Sequence, residues 1–235
     1  MICTIPLGCL KAKTVQFDPP LPLEKQTAID SLGFGTIDKY FLFCERRWWP
    51  EAAEMLIVWS DEAKKSFKPS HQDASLYKNT DDMLWYQHVI GFIVEQSIPI
   101  PVLVAFASGR WAKVIEQLPD KEVLAVLGDL VTQIIIPQLD TASCSSSMNK
   151  KAPVGMIRTK WAQDPYSKGS YSHVPVNVSM EMFNVLAAPL PSIEKPVLLF
   201  AGEATHNKYF SCVHAAWLSG EREAKRLIKL IAKNC

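Results

Sequence analysis

Apolar residues recur at three- and four-residue steps near the end of the chain, and this pattern predicts a long amphipathic helix beginning at Cys212–Val213. We expect one face of that helix to pack in the core. The residues on this face are Val213, Ala216, Trp217, Gly220, Ala224, Leu227, Ile228 and Ile231. A second helical pattern runs from Arg110 to about Ile135, and Pro119–Asp120 divides it into two helices. A shorter helix is predicted over 22–31, after a proline-rich entry.

Shorter apolar runs between these helices predict β-strands. The predicted strands lie near 1–5, 36–45, 55–59, 83–86, 89–94, 101–107 and 197–200, with short strands inside 155–161 and 170–179. We interpret Gly33–Gly35 as a turn and the serine-rich stretch 141–151 as an exposed loop. Because helices and strands are mixed throughout, the expected fold class is α/β (α+β).

An acidic residue, Glu203, stands just beyond the apolar strand at 197–200, and the last helix begins a few residues later. In open α/β sheets, ligands bind beyond the carboxyl ends of strands, and helix N-termini favour negative charge. We therefore expect a ligand with hydroxyl groups and partial negative charge here. The alternative, that Glu203 only caps a turn, has equal weight at this point.

A lysine interrupts an apolar face of the strand near 36–45. Side chains alternate along a strand, so Ile37, Lys39, Phe41 and Phe43 share one face. A lone buried lysine is costly unless it is paired, hydrated or functional, and burial lowers the pKa of its amine. The alternative is that this face is the solvent face of an edge strand.

Composition excludes several classes of function. The formal net charge is +1, and the basic residues are scattered, so the charge pattern of a nucleic-acid binder is absent. The apolar run 98–107 is too short and too rich in proline to span a membrane, so we expect a soluble protein. Six cysteines without a C-x-x-C pair indicate reduced thiols and no zinc site.

Two further kinds of site find no support in the sequence. His206 and His214 have no Ser or Asp partner at a spacing typical of a nucleophile triad, so we interpret both as structural. The one Gly-x-Gly, at 33–35, has Asp38 where the dinucleotide fingerprint G-x-G-x-x-G requires glycine.

Four stretches together resemble the flavin-dependent amine oxidases. They read TIPLGCLK, LGFGTIDKYFLFCERRWW, RTKWAQDPYSKGSYSHV and FAGEATHNKYFSCVHAAWLSGEREAKRL, in the order the family has them. The resemblance is greatest to animal spermine oxidases and N1-acetylpolyamine oxidases, and weaker to lysine-specific histone demethylases. It implies part of a Rossmann-like FAD-binding domain and a substrate-binding domain of mixed sheet and helices.

The resemblance also implies roles for individual residues. Lys39 matches the catalytic lysine that hydrogen-bonds a water beside flavin N5, and Glu203 matches the glutamate that binds hydroxyls of FAD. Cys212 and Val213 match the residues at the pyrimidine edge of the flavin, although Cys212 replaces a hydroxyl or aromatic residue. Two aromatic residues complete the implied site. Trp161 packs along the isoalloxazine and Tyr171 lines the amine site.

The implied reaction is oxidation of a C–N bond in a polyamine. Hydride passes to FAD, water hydrolyses the resulting imine, and O2 reoxidises the flavin with release of hydrogen peroxide. The expected partners are a small polyamine and O2, with neither nucleic acid nor membrane. Another amine oxidase activity, such as that of a histone demethylase, is the alternative within the family.

The family's N-terminal G-x-G-x-x-G unit has no counterpart here, so we expect the chain to be the C-terminal half of an oxidase. Residues 1–12 and 151–235 would form a partial FAD-binding domain, and 13–150 the substrate-binding domain. Association with a full-length oxidase or with the missing N-terminal half is expected. The alternative is an inactive truncated form that serves as an interaction module. The C-terminal Lys-Asn-Cys differs from the peroxisomal tripeptide, so we expect a cytoplasmic location.

Overall fold

The structure is a computed structural model that describes residues 1–49, 54–70, 84–94, 99–139 and 152–234. Its chain divides into two compact units. The first unit contains residues 1–36 and 161–235, and the second contains residues 37–160. The mixture of helices and strands in both units confirms the predicted fold class.

The described helices range from one turn to six turns. They are α1 (Leu7–Lys11), α2 (Leu23–Ser31), α3 (Asp61–Ser66), α4 (Gly109–Glu116), α5 (Asp120–Leu130), α6 (Ile136–Leu139), α7 (Glu181–Ala187) and α8 (Val213–Asn234). A π-helical segment, Val131–Ile135, joins α5 to α6. Short 3-10 turns occur at Trp85–His88 and Glu203–Thr205.

The described strands are mostly short. They are β1 (Ile2–Cys3), β2 (Gly33–Gly35), β3 (Ile37–Phe43), β4 (Glu54–Leu56), β5 (Val89–Val94), β6 (Val102–Ser108), β7 (Gly155–Arg158), β8 (Tyr171–His173) and β9 (Leu199–Phe200).

The second unit is built on one antiparallel sheet in the order β4-β5-β6-β3-β7. Its core packs one face of this sheet against α4 and α5. Strand β3 contributes Asp38, Tyr40 and Leu42 to the buried face, because alternate residues of a strand point to opposite sides. Ile37, Lys39, Phe41 and Phe43 therefore share the other face, as predicted.

The first unit contains two small sheets, one pairing β1 with β9 in parallel and one pairing β2 with β8 antiparallel. Its core combines buried residues from the strands with the inner faces of α1, α2 and α7. The largest of these side chains are Leu7, Ile29, Leu32, Phe183, Leu186 and Phe200.

The side chain of a buried lysine in α2 caps the C-terminal end of helix α7. Lys25 donates hydrogen bonds to the carbonyl oxygens of Val185, Leu186 and Ala188 at 2.7, 2.9 and 2.5 Å. These oxygens belong to the last turn of α7 and the residue after it, where backbone donors become scarce, although the Ala188 N–H also donates to the Val185 oxygen. Burial lowers the pKa of the Lys25 amine to about 8. The lysine thus fixes the end of α7, and its Nζ atom lies 4.4 Å from the centroid of the Phe200 ring in β9.

Most of the predicted elements are present, with differences at glycine and aromatic segments. The strands at 89–94 and 101–107 and the division of two helices at Pro119–Asp120 are confirmed. The strand predicted at 83–86 is wrong, because Trp85–His88 forms a 3-10 turn. The turn predicted at Gly33–Gly35 is a strand, and a Cβ atom at Gly33 would lie 2.2 Å from the His173 ring. Glycine suits this position because the imidazole ring of His173, in the neighbouring strand, lies against it.

The predicted packing face of α8 is wrong. Trp217 is 67% exposed, and Val213, Ile228 and Ile231 on the same face are exposed as well. The buried residues of α8 are instead Ala215, Ser219 and Glu223. The two polar side chains on this face have hydrogen-bond partners: the Ser219 hydroxyl accepts from the Gly202 N–H, and Glu223 is paired with Arg222 and Arg226 of α8 itself.

The units divide at 36/37 and 160/161, whereas the predicted domains divide at 12/13 and 150/151. Helix α2 lies in the first unit because it packs on α7. The assignment of cofactor and substrate binding to separate domains stays a prediction. The stretch 141–151 lies outside the described residues. Among the described residues, no helix is long and apolar enough to cross a membrane.

Candidate functional site

Glu203 links strand β8 to the start of helix α8. Its Oε2 atom accepts a hydrogen bond from the Ser172 hydroxyl at 2.5 Å and from the backbone N–H of Ser211 at 2.7 Å. The Ser211 hydroxyl in turn donates to the Ser172 carbonyl oxygen. Within the described part of the chain, no donor bonds to Oε1. The carboxylate is therefore held by one oxygen and has the other as an acceptor for a ligand.

Gly202, which precedes this glutamate, has a backbone conformation that favours glycine. Its φ angle is +136°, and its N–H donates to the Ser219 hydroxyl at 2.8 Å. Nothing lies within 4 Å of a Cβ atom built on Gly202. A side chain at this position would therefore meet no steric obstacle, and glycine is favoured only because of the positive φ angle. The open space permits a ligand to approach the backbone closely.

Helix α8 presents its N-terminal end to the exterior. The carbonyl oxygen of Cys212 accepts from the N–H groups of Ala215 and Ala216, which closes the first turn. For Val213 and His214, no acceptor of the N–H groups lies among the described residues. Cys212 is exposed, and Val213 is 90% exposed. Unpaired N–H groups and the helix dipole make this end favourable for negative charge.

Arg222 of α8 fixes the turn that contains Glu203. Its guanidinium donates to the carbonyl oxygens of Thr205 at 2.7 Å and Phe200 at 2.8 Å, on the two sides of Gly202–Glu203. Its Nε donates to Glu223 at 2.5 Å, and Glu223 is 0% exposed. Arg226 donates to the second oxygen of Glu223 at 2.7 Å. The buried acid is thus paired twice, and α8 and the turn form one hydrogen-bonded assembly.

The two predicted aromatic residues lie in the same unit as Glu203. Tyr171 precedes Ser172 in β8, so its side chain points to the opposite side of the strand from the Ser172 hydroxyl. Trp161 accepts the Gly169 N–H at its carbonyl oxygen at 2.8 Å, and it is 42% exposed. Both rings have accessible surface, and their roles toward flavin and amine stay predictions.

Lys39 lies in the second unit, on strand β3. It is exposed, with Nζ 5.7 Å from the centroid of the Phe106 ring, so the expectation of a buried lysine is wrong. The alternative of an edge strand is also wrong, because β3 lies between β6 and β7. The Thr159 hydroxyl accepts a hydrogen bond from the Lys39 N–H at 2.9 Å, and the Thr159 backbone N–H donates to the Lys39 carbonyl oxygen at 3.0 Å. The backbone of this lysine is therefore fixed while its amine is accessible.

The structure brings some of the predicted residues together. Glu203, Cys212 and Val213 meet through Ser211, and Tyr171 adjoins them through its neighbour in β8. Lys39 belongs to the other unit. The supporting residues Ser172, Ser211, Ser219, Arg222 and Glu223 were not predicted. The sequence contains a signal for Ser219, Arg222 and Glu223. Together with Arg226, they form a polar stripe at helical spacing.

The cysteines of the described residues belong to no cluster of metal-binding side chains. Cys3, Cys9, Cys44 and Cys212 form no disulfide bond, and Cys144 and Cys235 lie outside the described residues. Burial raises the pKa of the Cys44 thiol to about 11. In the described ranges, no group of three metal-binding side chains occurs.

The residues around Glu203 fit the flavin end of FAD. The free oxygen of Glu203 suits a ribityl or ribose hydroxyl, and the open backbone at Gly202 admits a closely packed chain. The exposed N-terminus of α8 suits the negative charge of a reduced flavin. This donor and acceptor set can therefore bind a polyhydroxylated ligand that carries diffuse negative charge.

Comparisons with known proteins agree on one family. A sequence profile described as flavin containing amine oxidoreductase matches residues 1–228. The chain is 36% identical to the peroxisomal N(1)-acetyl-spermine/spermidine oxidase of Homo sapiens, over 99% of this chain and 43% of that protein. It is 38% identical to the Bos taurus protein of the same name, over 98% and 42%. A possible lysine-specific histone demethylase 1 of Drosophila melanogaster is 32% identical, over 97% and 24%.

A solved structure has a similar fold. It is a triple mutant of putrescine oxidase from a redesign of cofactor binding, with a TM-score of 0.66 and 15% sequence identity. The match covers 97% of this chain and 42% of that one. The chain therefore spans less than half the length of the oxidases it matches.

Proposed function

The chain belongs to the family of flavin-containing amine oxidoreductases, and from this premise we propose that it carries the catalytic lysine and the flavin-end contacts of an FAD-dependent polyamine oxidase. The observation that carries the proposal is the Glu203 assembly. One carboxylate oxygen is anchored by Ser172 and Ser211, and the other is open beside Gly202 and the start of α8.

Each part of this assembly has a task in cofactor binding. Glu203 accepts hydrogen bonds from cofactor hydroxyls through Oε1. The start of α8 lies beside Cys212, and its first-turn N–H groups at Val213 and His214 stabilise negative charge at the pyrimidine edge by about 1 kcal/mol. Trp161 packs along the ring, and Tyr171 lines the space for the amine.

Bound FAD would supply the acceptor for the hydride, with its two electrons, that leaves the carbon bonded to the amine nitrogen, and the site where O2 is reduced to hydrogen peroxide. The protein contributes orientation, charge and proton transfer. An amine must be neutral before it can be oxidised, and Lys39 is the group we propose to take part in removing that proton. Its backbone is held by Thr159, so the amine can be placed reproducibly while its long side chain adapts to the substrate.

Polyamines are the proposed substrates because the relatives with the highest identity given above are named as spermine/spermidine oxidases. Demethylation of a lysine side chain is the alternative, favoured by the similarity to histone demethylases. Both reactions oxidise a C–N bond by removing hydride from the carbon of that bond, so the chain's own residues would play the same parts.

The proposal predicts that the chain, supplied with FAD, releases hydrogen peroxide from spermine or N1-acetylspermine. A peroxidase-coupled assay measures this, with putrescine and a methylated histone-tail peptide as comparison substrates. Turnover of either polyamine supports the proposal. Turnover of the peptide alone would assign a demethylase, and no turnover of any amine by flavin-loaded protein would contradict the proposed activity.

An exposed apolar face favours a second candidate, an interaction module that pairs with an oxidase. Trp217, Ile228 and Ile231 form an exposed stripe along α8, and within the described ranges β1 and β9 have no further strand beside them in their parallel sheet. Parallel strands are normally covered on both faces by a larger domain. The occupant that fits both features is a polypeptide with a strand-helix unit, as in a dinucleotide-binding fold. Co-elution of the chain with such an oxidase, without peroxide release by the chain itself, would favour this candidate.

The cytoplasmic location stays a proposal. Fluorescence microscopy of the tagged chain beside a peroxisomal marker would test it.

A further inference from the structure

A basic cleft lies on the first unit between the end of α7, the end of the 3-10 turn Glu203–Thr205 and helix α8. Its volume is about 540 Å³. Small-molecule sites have volumes in this range. Among the residues that line it are Asn207, Leu218, Arg222 and Arg226, together with His206. None of these belongs to the residues proposed to hold FAD or to act on the amine.

The charge of the cleft is positive. Arg222 and Arg226 both reach the buried carboxylate of Glu223, at 2.5 and 2.7 Å. Two guanidinium groups against one carboxylate leave one positive charge. Among the described residues that line the cleft, there is no Asp or Glu. A cation in a half-buried position is costly unless an anion or hydrogen-bond acceptor compensates it.

The two arginines differ in the donors that they have left. Every nitrogen of Arg222 is engaged, through Glu223, Thr205 and Phe200. A guanidinium carries five N–H donors, and for Arg226 the described residues accept one of them, at Glu223. The Arg226 side chain is only 23% exposed. Its remaining N–H groups therefore have limited access to water and are the strongest unused donors of the cleft.

His206 adds a further donor. Its Nδ1 atom accepts the backbone N–H groups of Lys208 at 3.2 Å and Tyr209 at 3.1 Å. In the neutral ring the proton must then be on Nε2, because one nitrogen accepts and the other donates. The cleft thus combines a planar guanidinium fork with an imidazole N–H beside the apolar side chain of Leu218.

We propose that this cleft binds a small anion bearing a carboxylate or phosphate group, with Arg226 as its principal donor. The guanidinium fork pairs with both groups in the same bidentate geometry. Binding at this cleft is also linked to the turn that contains Gly202 and Glu203. Arg222 shares Glu223 with Arg226 and holds the carbonyl oxygens on both sides of Gly202–Glu203, so an anion at Arg226 is connected through Glu223 and Arg222 to the segment proposed to hold FAD.

The test uses the full chain without FAD, titrated calorimetrically with sodium phosphate and separately with sodium succinate at constant ionic strength. We expect saturable binding of at least one anion, and the anion that binds assigns phosphate or carboxylate chemistry. Arg226→Gln is expected to weaken it by about tenfold or more, since a charge-assisted hydrogen bond is lost. Lys229→Gln, an exposed change one turn further along α8, is expected to leave it unaltered.

A second variant guards against misfolding of the first. Asn207→Asp places a negative charge at the wall of the cleft without touching either arginine or Glu223, and we expect it to weaken binding severalfold by repulsion. Circular dichroism checks that both variants are folded. Absence of saturable binding to the unaltered chain would overturn the proposal. Equal affinity in Asn207→Asp, Arg226→Gln and Lys229→Gln would overturn it as well.

Discussion

Replacement of Lys39 by methionine is expected to lower peroxide release from the polyamine substrate by about a hundredfold or more, with FAD binding unchanged. Positioned proton-transfer groups contribute about 10² to 10⁴ in rate, and methionine keeps the length and apolar stem of lysine without its amine. The change touches no buried group, because Lys39 is exposed and its backbone bonds to Thr159 do not involve the side chain.

The matched control is Lys113→Met, which removes an exposed lysine from α4 of the same unit. It is expected to leave turnover within twofold of the unaltered chain, and twofold is about 0.4 kcal/mol. If Lys39→Met and Lys113→Met have the same turnover, Lys39 has no part in the chemistry. A loss of bound flavin in Lys39→Met would instead indicate a role in binding.

The largest expected loss of stability follows from Arg222→Leu. This change removes the hydrogen bonds to Phe200 and Thr205 and one of the two partners of Glu223. Removing one partner from a buried charge pair typically costs about 3 kcal/mol or more in unfolding free energy, because the remaining charge stays buried. We expect a loss of about 3 kcal/mol, measured by urea unfolding followed by circular dichroism.

Lys225→Leu is the control for this effect. Lys225 pairs with Glu221 at 2.8 Å on the exposed side of α8, and such surface pairs contribute about 0.5 kcal/mol or less. If the two variants unfold at the same urea concentration, the Arg222 assembly does not stabilise the first unit. Weakened FAD binding in Arg222→Leu is a further expected result, because its partners flank Gly202–Glu203.

Elements with strong local patterns could be predicted from the sequence. The alternation in 36–45 placed Lys39 correctly on one face with Ile37, Phe41 and Phe43. The start of α8 at Val213 and the position of Glu203 after a buried strand are also as expected. In each case the periodicity or the boundary is encoded within about ten neighbouring residues.

Features that depend on distant partners could not be predicted. The core face of α8 carries Ser219, which is recognisable as buried only when Gly202, 17 residues earlier in the chain, is seen to donate to its hydroxyl. The same holds for Gly33–Gly35, whose strand exists because β8 pairs with it across more than a hundred residues. Burial of polar groups follows from tertiary pairing, and a local hydrophobic pattern contains no information about it.

The central claim, that the Glu203 assembly holds the flavin end of FAD, is tested most directly by a spectroscopic titration. FAD at fixed concentration is titrated with the chain while its visible absorption band and its fluorescence are followed. The unaltered chain and the control Glu221→Ala are expected to give a saturable spectral change. Glu203→Ala is expected to bind at least about tenfold more weakly, because a charge-assisted hydrogen bond to a cofactor hydroxyl is lost. No spectral change with the unaltered chain, or equal affinity in Glu203→Ala and Glu221→Ala, would contradict the claim.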